Sequence, residues 1–160
     1  MYVGPPQGPF VGNRIRDPIK FMAIRFRIMP KFRLALTVIR GRFSVDDLYK
    51  QREAIESSES YDPSFDLVFD GRRISAFDLE GSDIREFAQS LSPERKRFAR
   101  TAIIVSGDLG YALSRIFRAT SGRQRDSTLK IFYGSKEAMD WIAEGRRAVA
   151  DNRGDWPEGA

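Results

Sequence analysis

The chain has 160 residues, 41% of them hydrophobic and 12% aromatic, which suits one domain with a buried core plus a tail and excludes a disordered chain. It contains no cysteine and no histidine, so disulfides, thiol–imidazole and Ser–His–Asp nucleophiles and His/Cys zinc sites are excluded; carboxylate, lysine, tyrosine or arginine chemistry, or a carboxylate-held Mg²⁺, is what an enzyme would have left. The net charge of +5 is segregated: seven basic residues against one acid give +6 over residues 1–33, and Arg40 adds one over 34–40. Six basic against twelve acidic give −6 over 41–92, nine against three give +6 over 93–130, and four against six give −2 over 131–160.

Residues 1–18 hold Pro5, Pro6, Pro9 and Pro18 with Gly4, Gly8 and Gly12, so an irregular basic arm is expected there, ahead of a domain over 19–146. The N-terminus carries no apolar signal core and no apolar run approaches the ~18 residues that span a bilayer. No transmembrane segment and a cytoplasmic protein are expected.

Ile24, Phe26 and Ile28 alternate with Arg25 and Arg27, the period of a half-buried strand with a basic face. Met29-Pro30-Lys31 turns the chain. Arg33 to Arg40 has apolar residues on both faces, as an inner strand would, and Gly41 is expected to end it. Ser44 and Asp47 stand in capping-box positions at the start of a helix whose inward face is expected to be Val45, Leu48, Tyr49 and Ile55. Phe65 to Phe69 reads as a short strand closed by Asp70-Gly71.

A helix from about Ser82 to Leu91 places Ile84, Phe87, Ala88 and Leu91 on one side. Ser92-Pro93-Glu94 reads as a cap opening one more short basic turn. The apolar run Ala102–Val105 stops at Ser106-Gly107-Asp108. Leu109, Ala112, Leu113, Ile116 and Phe117 then recur at helical spacing. Leu129 to Tyr133 is a strand leading into a helix with Ala138, Trp141 and Ile142 inward. Gly154, Pro157 and Gly159 mark a frayed tail over 147–160. The order is ββαβαβαβα: an α/β domain with an N-terminal β-hairpin, then a largely parallel sheet with helices packed on it.

This order, the strand-loop-helix "AIIVSGDLGYALSRIF" and the ending Ile131-Phe132-Tyr133-Gly134-Ser135-Lys136-Glu137-Ala138-Met139-Asp140-Trp141-Ile142 resemble the STAS-like proteins related to anti-sigma-factor antagonists, the SpoIIAA-like group. The resemblance covers about residues 20–146 and rests on core and turn residues. It implies a STAS-like mixed sheet and a regulatory, protein-binding role. In the antagonists of that group an Asp-Ser-Ser-Gly turn before the second helix carries a phosphoserine. The corresponding stretch here is Asp78-Leu79-Glu80-Gly81, with Leu79 and Glu80 where the serines would stand. Ser82, two residues on, reads as a helix cap.

Loops after the C-termini of parallel strands gather on one sheet edge, where ligands bind. The residues expected there are Asp70, Arg72, Arg73, Ser75, Asp78, Glu80, Ser82 and Asp83 from one loop and Ser106 and Asp108 from another. Asp70, Asp78 and Asp108 have the chemistry to hold a divalent cation, but their spacing matches no metal loop, and Asp83 and Asp108 are natural N-caps. No metal or other cofactor is therefore expected. Gly107-Asp108-Leu109-Gly110 lacks the pattern of a phosphate loop. The Arg95-Lys96-Arg97 and Arg115/Arg118/Arg123/Arg125 clusters come without a nucleic-acid-binding motif, which argues against nucleic acid as a partner. Phe98, Tyr111, Phe117, Phe132, Tyr133 and Trp141 have the apolar bulk to line a ligand cavity or a core.

The expected function is a non-enzymatic regulatory module that docks a protein through the acidic Asp78–Glu86 stretch. The alternative is a binder of a small apolar or lipid-like ligand. A third reading is a carboxylate/Mg²⁺ enzyme on phosphate esters, which requires the three aspartates to converge.

Overall fold

The computed structural model describes residues 23–91, 98–122 and 127–154. The N-terminal arm over 1–18, the start of the domain at 19, the Ser92–Arg97 turn, Arg123 and Arg125, and the last six residues lie outside them.

Five strands and four helices alternate as the hydrophobic pattern predicts: β1 (Ala23–Met29), β2 (Leu34–Ser44), α1 (Val45–Glu56), β3 (Asp66–Asp78), α2 (Gly81–Ser90), β4 (Thr101–Ile104), α3 (Asp108–Thr120), β5 (Leu129–Phe132) and α4 (Ser135–Gly154). The sheet order is β1-β2-β3-β4-β5. β1 and β2 form an antiparallel hairpin, and β2 to β5 run parallel. The hairpin turns through a 3-10 segment, Pro30–Phe32, closed by Arg33 in the left-handed conformation (φ 50). The sheet is mixed and carries helices on both faces, the α/β order that the sequence predicts.

Two strands run further than their punctuation suggests. Gly41 does not end β2, and Asp70-Gly71 does not close β3. The chain absorbs them as irregularities: the β2–β3 register shifts between Val38 and Arg40 and again between Gly41 and Arg42, with Gly41 at φ 79. Pairing then resumes through Phe43↔Phe77 and Ser44↔Asp78. Glycine supplies the positive φ of a bulge at no steric cost, so it kinks a strand without stopping it. β4 pairs with β3 only over Leu67–Asp70. The ends of β2 and β3 thus leave the sheet as a two-stranded ribbon.

The two sheet faces bury different cores. α4 covers one with Ala138, Trp141 and Ile142 against Leu34, Val68, Ala102 and Ile104, the inward set predicted for that helix. α4 also continues to Gly154, past the boundary drawn at 146, because Ala148, Val149 and Ala150 are compatible with a helix and no glycine or proline intervenes before Gly154. The other face packs Ile39 and Phe43 against Leu48, Ile84, Phe87 and Leu113 of α1, α2 and α3. The capping box of Ser44 and Asp47 is formed, with the Ser44 N–H donating to Asp47 Oδ2 at 2.8 Å. α1 turns inward through Leu48, Gln51 and Ile55, while Tyr49 stays exposed at the rim beside Phe87. α3 is rotated from the predicted face: Gly110, Leu113 and Ser114 are buried, whereas Leu109 and Ala112 are exposed. Gly110 sits against Val105 and Phe77, so the helix approaches the sheet through its smallest residue and exposes Leu109.

Candidate functional site: an aromatic chamber between sheet and helices

The face covered by α1, α2 and α3 is incompletely filled. A cavity of about 400 Å³ lies between those helices, the sheet and the ribbon. Six phenylalanines line it among aliphatic side chains: Phe43 and Phe77 from the ribbon, Phe69 from β3, Phe87 from α2 and Phe117 from α3, with Phe98 ahead of β4. The rings hold one another in place. Phe43 meets Phe69 and Phe77 edge-on, with centroids 6.0 and 6.4 Å apart, and Phe87 stacks on Phe117 at 6.0 Å.

Polar groups enter at several places, Thr101 and Ser114 among them. Midway, Gln51 of α1 is buried and donates its Nε2 to the fully buried Thr37 Oγ1 at 2.7 Å. At the end toward the strand N-termini stand Arg52, Glu56 and Tyr61. Arg52 Nε lies 3.3 Å from Glu56 Oε1 and its Nη1 donates to Ser90 Oγ at 3.1 Å. Burial still dominates over that neighbour and holds the Glu56 carboxyl above the usual range. Burial, then the nearby Glu56 and Asp62 charges, push the Tyr61 phenol up in turn. At the opposite end, Ser106, Gly107 and Asp108 line the opening where α3 begins.

Of the ten residues predicted to form a site, only Ser106 and Asp108 line this chamber. The others are distributed along the ribbon and the start of α2. Asp70 accepts from Arg72 Nε at 2.9 Å, from Nη2 at 2.7 Å and from the Arg72 backbone N–H at 3.1 Å. These bonds hold the Asp70 carboxyl below the usual carboxylate range and raise the Arg72 guanidinium. Ser106 Oγ donates to the Arg72 carbonyl at 3.1 Å. Asp78 is paired with Arg42, whose Nε reaches Oδ2 at 2.8 Å. Arg73 and Ser75 are exposed on the ribbon.

The residue before α2 is Glu80. Its backbone N–H donates to Asp83 Oδ2 at 2.7 Å, so Glu80 holds the cap position and Asp83 is its box partner. Ser82 lies inside the helix and is exposed, which corrects its expected role as cap. Asp108 is likewise the first helical residue, and Gly107 holds the cap position. Among the described residues no three carboxylates gather as a cation site, so Asp70, Asp78 and Asp108 do not converge as the metal-enzyme reading requires. Among them no helix is long and apolar enough to cross a membrane.

The aromatic set predicted for a cavity divides between the faces. Phe98 and Phe117 line the chamber. Phe132 and Trp141 pack on the α4 side with centroids 5.7 Å apart, and Tyr111 stacks on the exposed Tyr133. The main wall, Phe43, Phe69, Phe77 and Phe87, was not singled out as a site. The signal was present in the recurrence of phenylalanine at 43, 69 and 77 on strands that pair side by side. It becomes readable only once β3 is known to continue past Gly71.

This geometry has a counterpart among solved structures. An uncharacterised protein of the DUF3478 family with a SpoIIAA-like fold, from Shewanella loihica PV-4, superposes with a TM-score of 0.50 at 19% identity, covering 76% of this chain and 93% of that one. The likeness is one of fold. No family model matches the chain, and no curated protein matches it.

Proposed function

We propose that this SpoIIAA-like domain binds a small apolar or lipid-like ligand in the chamber between the sheet and α1–α3. The observation that carries the reading is a cavity of about 400 Å³ walled by mutually braced phenylalanines. That volume falls within the ~300–1,000 Å³ typical of small-molecule sites, which are likewise apolar with a few placed polar groups. Gln51 supplies a neutral amide within the wall. Arg52 and Glu56 at one end, and the start of α3 at the other, give a polar headgroup somewhere to rest.

Docking of a protein through Asp78–Glu86 finds less support, because Asp78 is engaged by Arg42 and Asp83 by the cap of α2. A regulatory role remains compatible with ligand binding, since occupancy of the chamber would set how α1, α2 and α3 lie on the sheet.

Native mass spectrometry after mild purification should show a retained adduct of a few hundred daltons, or uptake of added N-phenyl-1-naphthylamine with a rise in its fluorescence. Leu113→Phe and Ile74→Phe, both in the wall, should each reduce uptake at least fivefold while the fold is kept. A clean apo mass together with no probe uptake would overturn the proposal.

A further inference from the structure

The second surface that stands out is the side of the hairpin and ribbon turned away from the chamber. Strand alternation places Arg25 and Arg27 of β1 on that side, because Arg25 pairs with Val38 and Arg27 with Leu36, while Ile24, Phe26 and Ile28 turn to the helices. Arg40 and Arg42 continue the same row along β2, since the buried Ile39 and Phe43 alternate with them on the chamber side. Arg73 lies in register with Arg40 on β3. α4 packs mainly over β4 and β5 and reaches Leu34 and Val68 at the starts of β2 and β3, while the helix most in contact with β1 is α1 on the opposite face.

The charges on this surface are unbalanced. Its two carboxylates, Asp70 and Asp78, are paired with Arg72 and Arg42. Arg25, Arg27, Arg40 and Arg73 are exposed and have no ion pair among the described residues. Arg40 and Arg73 are direct neighbours on adjacent strands, where strands lie about 4.8 Å apart and like charges facing each other are destabilising. Asp70, already bonded to Arg72, is the nearby carboxylate whose charge Arg73 feels, and it forms no ion pair with Arg73 among the described residues.

We infer that this arginine face docks the sugar–phosphate backbone of a nucleic acid. Four unpaired guanidiniums across three strands present forked donors suited to phosphate oxygens, at separations of about 5–7 Å that suit successive phosphates. Between them stand Leu36, Val38, Asp70 and Ala76, with no aromatic side chain among them. A protein interface draws its affinity from aromatic and large apolar anchors, and a membrane surface from inserted apolar side chains. This face carries neither, whereas backbone phosphate binding needs only cations. The absence of stacking rings and groove-reading elements makes the contact sequence-independent. The sequence-based expectation against nucleic acid weighed the Arg95-Lys96-Arg97 and Arg115/Arg118/Arg123/Arg125 clusters; of these, Arg115 and Arg118 belong to α3, on the chamber side of the sheet.

The test is fluorescence anisotropy of a labelled 20-base-pair DNA duplex titrated with the full chain at several NaCl concentrations. Four phosphate contacts predict a log–log salt slope of about −3.6. Arg40→Glu/Arg73→Glu should weaken binding at least tenfold and bring the slope to about −2, while Arg40→Lys/Arg73→Lys keeps the slope. Arg40→Ala/Arg73→Ala should bind more weakly yet unfold at a higher denaturant concentration, because a repulsive pair is removed. The control Arg85→Glu/Arg115→Glu makes the same charge change on α2 and α3 and should bind within twofold of wild type. The inference is overturned by an equal loss in the control. It is also overturned by no duplex binding in 50 mM NaCl, or by tighter binding to phosphatidylglycerol vesicles or a polyglutamate peptide than to the duplex. None of these readouts involves the chamber, so the two proposals stand or fall separately.

Discussion

Gln51 and Thr37 join α1 to the sheet through one buried hydrogen bond, Nε2 to Oγ1 at 2.7 Å, beside a mostly apolar wall. Thr37 is fully buried, so its hydroxyl has no route to water if the amide is withdrawn. Gln51→Leu should therefore destabilise the domain by about 1–3 kcal/mol, the cost of a stranded buried polar group. Gln51→Leu/Thr37→Val, which removes both partners, should recover much of that loss. Urea unfolding of the two single variants and the double closes the cycle. N-phenyl-1-naphthylamine should bind Gln51→Leu at least as well as wild type, because the wall becomes more apolar.

The pair Asp70–Arg72 sets an acid dependence. The Asp70 carboxyl is held below its ordinary value by hydrogen bonds from Arg72, so its folded pKa lies under its unfolded one. A group shifted this way contributes stability that is fully present above the unfolded carboxylate pKa of about 3.9 and is lost as pH falls through the lower, folded value. Asp70→Asn should reduce stability at neutral pH by a modest amount. The difference from wild type should shrink to nothing in strong acid. Denaturant midpoints of both proteins across the acid range measure it, and a gap that persists unchanged at the lowest pH would rule out this linkage.

Much of the fold was legible because its signals are local. Period-two alternation marked β1, the Ser44/Asp47 box marked the start of α1, and Ala138, Trp141 and Ile142 at helical spacing marked the buried side of α4. What failed was punctuation. Gly41 and Gly71 read as strand ends, yet each sits at a register irregularity within a longer pair, and nothing within five residues distinguishes the two cases. The consequence reached the site. With β3 ended at Asp70, residues 72–78 became a binding loop, when they are strand whose Phe77 walls the chamber and whose Arg73 faces outward. The chamber depends on rings separated by up to 74 residues meeting in space, which no local pattern encodes.

Arg100 ties the start of β4 to α4. Its Nη1 donates to the Trp141 carbonyl at 2.7 Å, and its guanidinium lies 4.8 Å from the Trp141 ring centroid. Gly145 is close enough that a Cβ there would meet the guanidinium, so the absence of a side chain makes room for it. Arg100→Ala should cost about 1.5–3 kcal/mol, and Arg100→Lys somewhat less, since an ammonium keeps the charge but not the planar fork. Gly145→Leu should mimic Arg100→Ala by displacing the side chain. Thermal unfolding and, in a Trp156→Phe background, the quenching of Trp141 fluorescence report the two effects together.

The start of α2 separates a cap from its look-alike. Ser82 follows Gly81 at a helix start and is the residue type that caps best, but Glu80 occupies the cap position and Asp83 Oδ2 accepts its N–H at 2.7 Å. Ser82 is exposed within the first turn. Ser82→Ala should therefore change stability by no more than about 0.5 kcal/mol, as exposed substitutions away from a cap do. Asp83→Ala removes the acceptor and a favourable negative charge from the helix N-terminus and should cost about 1 kcal/mol. Because Ile84 and Phe87 on the next turns wall the chamber, fraying at this end should also loosen it, and Asp83→Ala should release N-phenyl-1-naphthylamine faster than Ser82→Ala. Equal unfolding midpoints for the two variants would place the cap elsewhere.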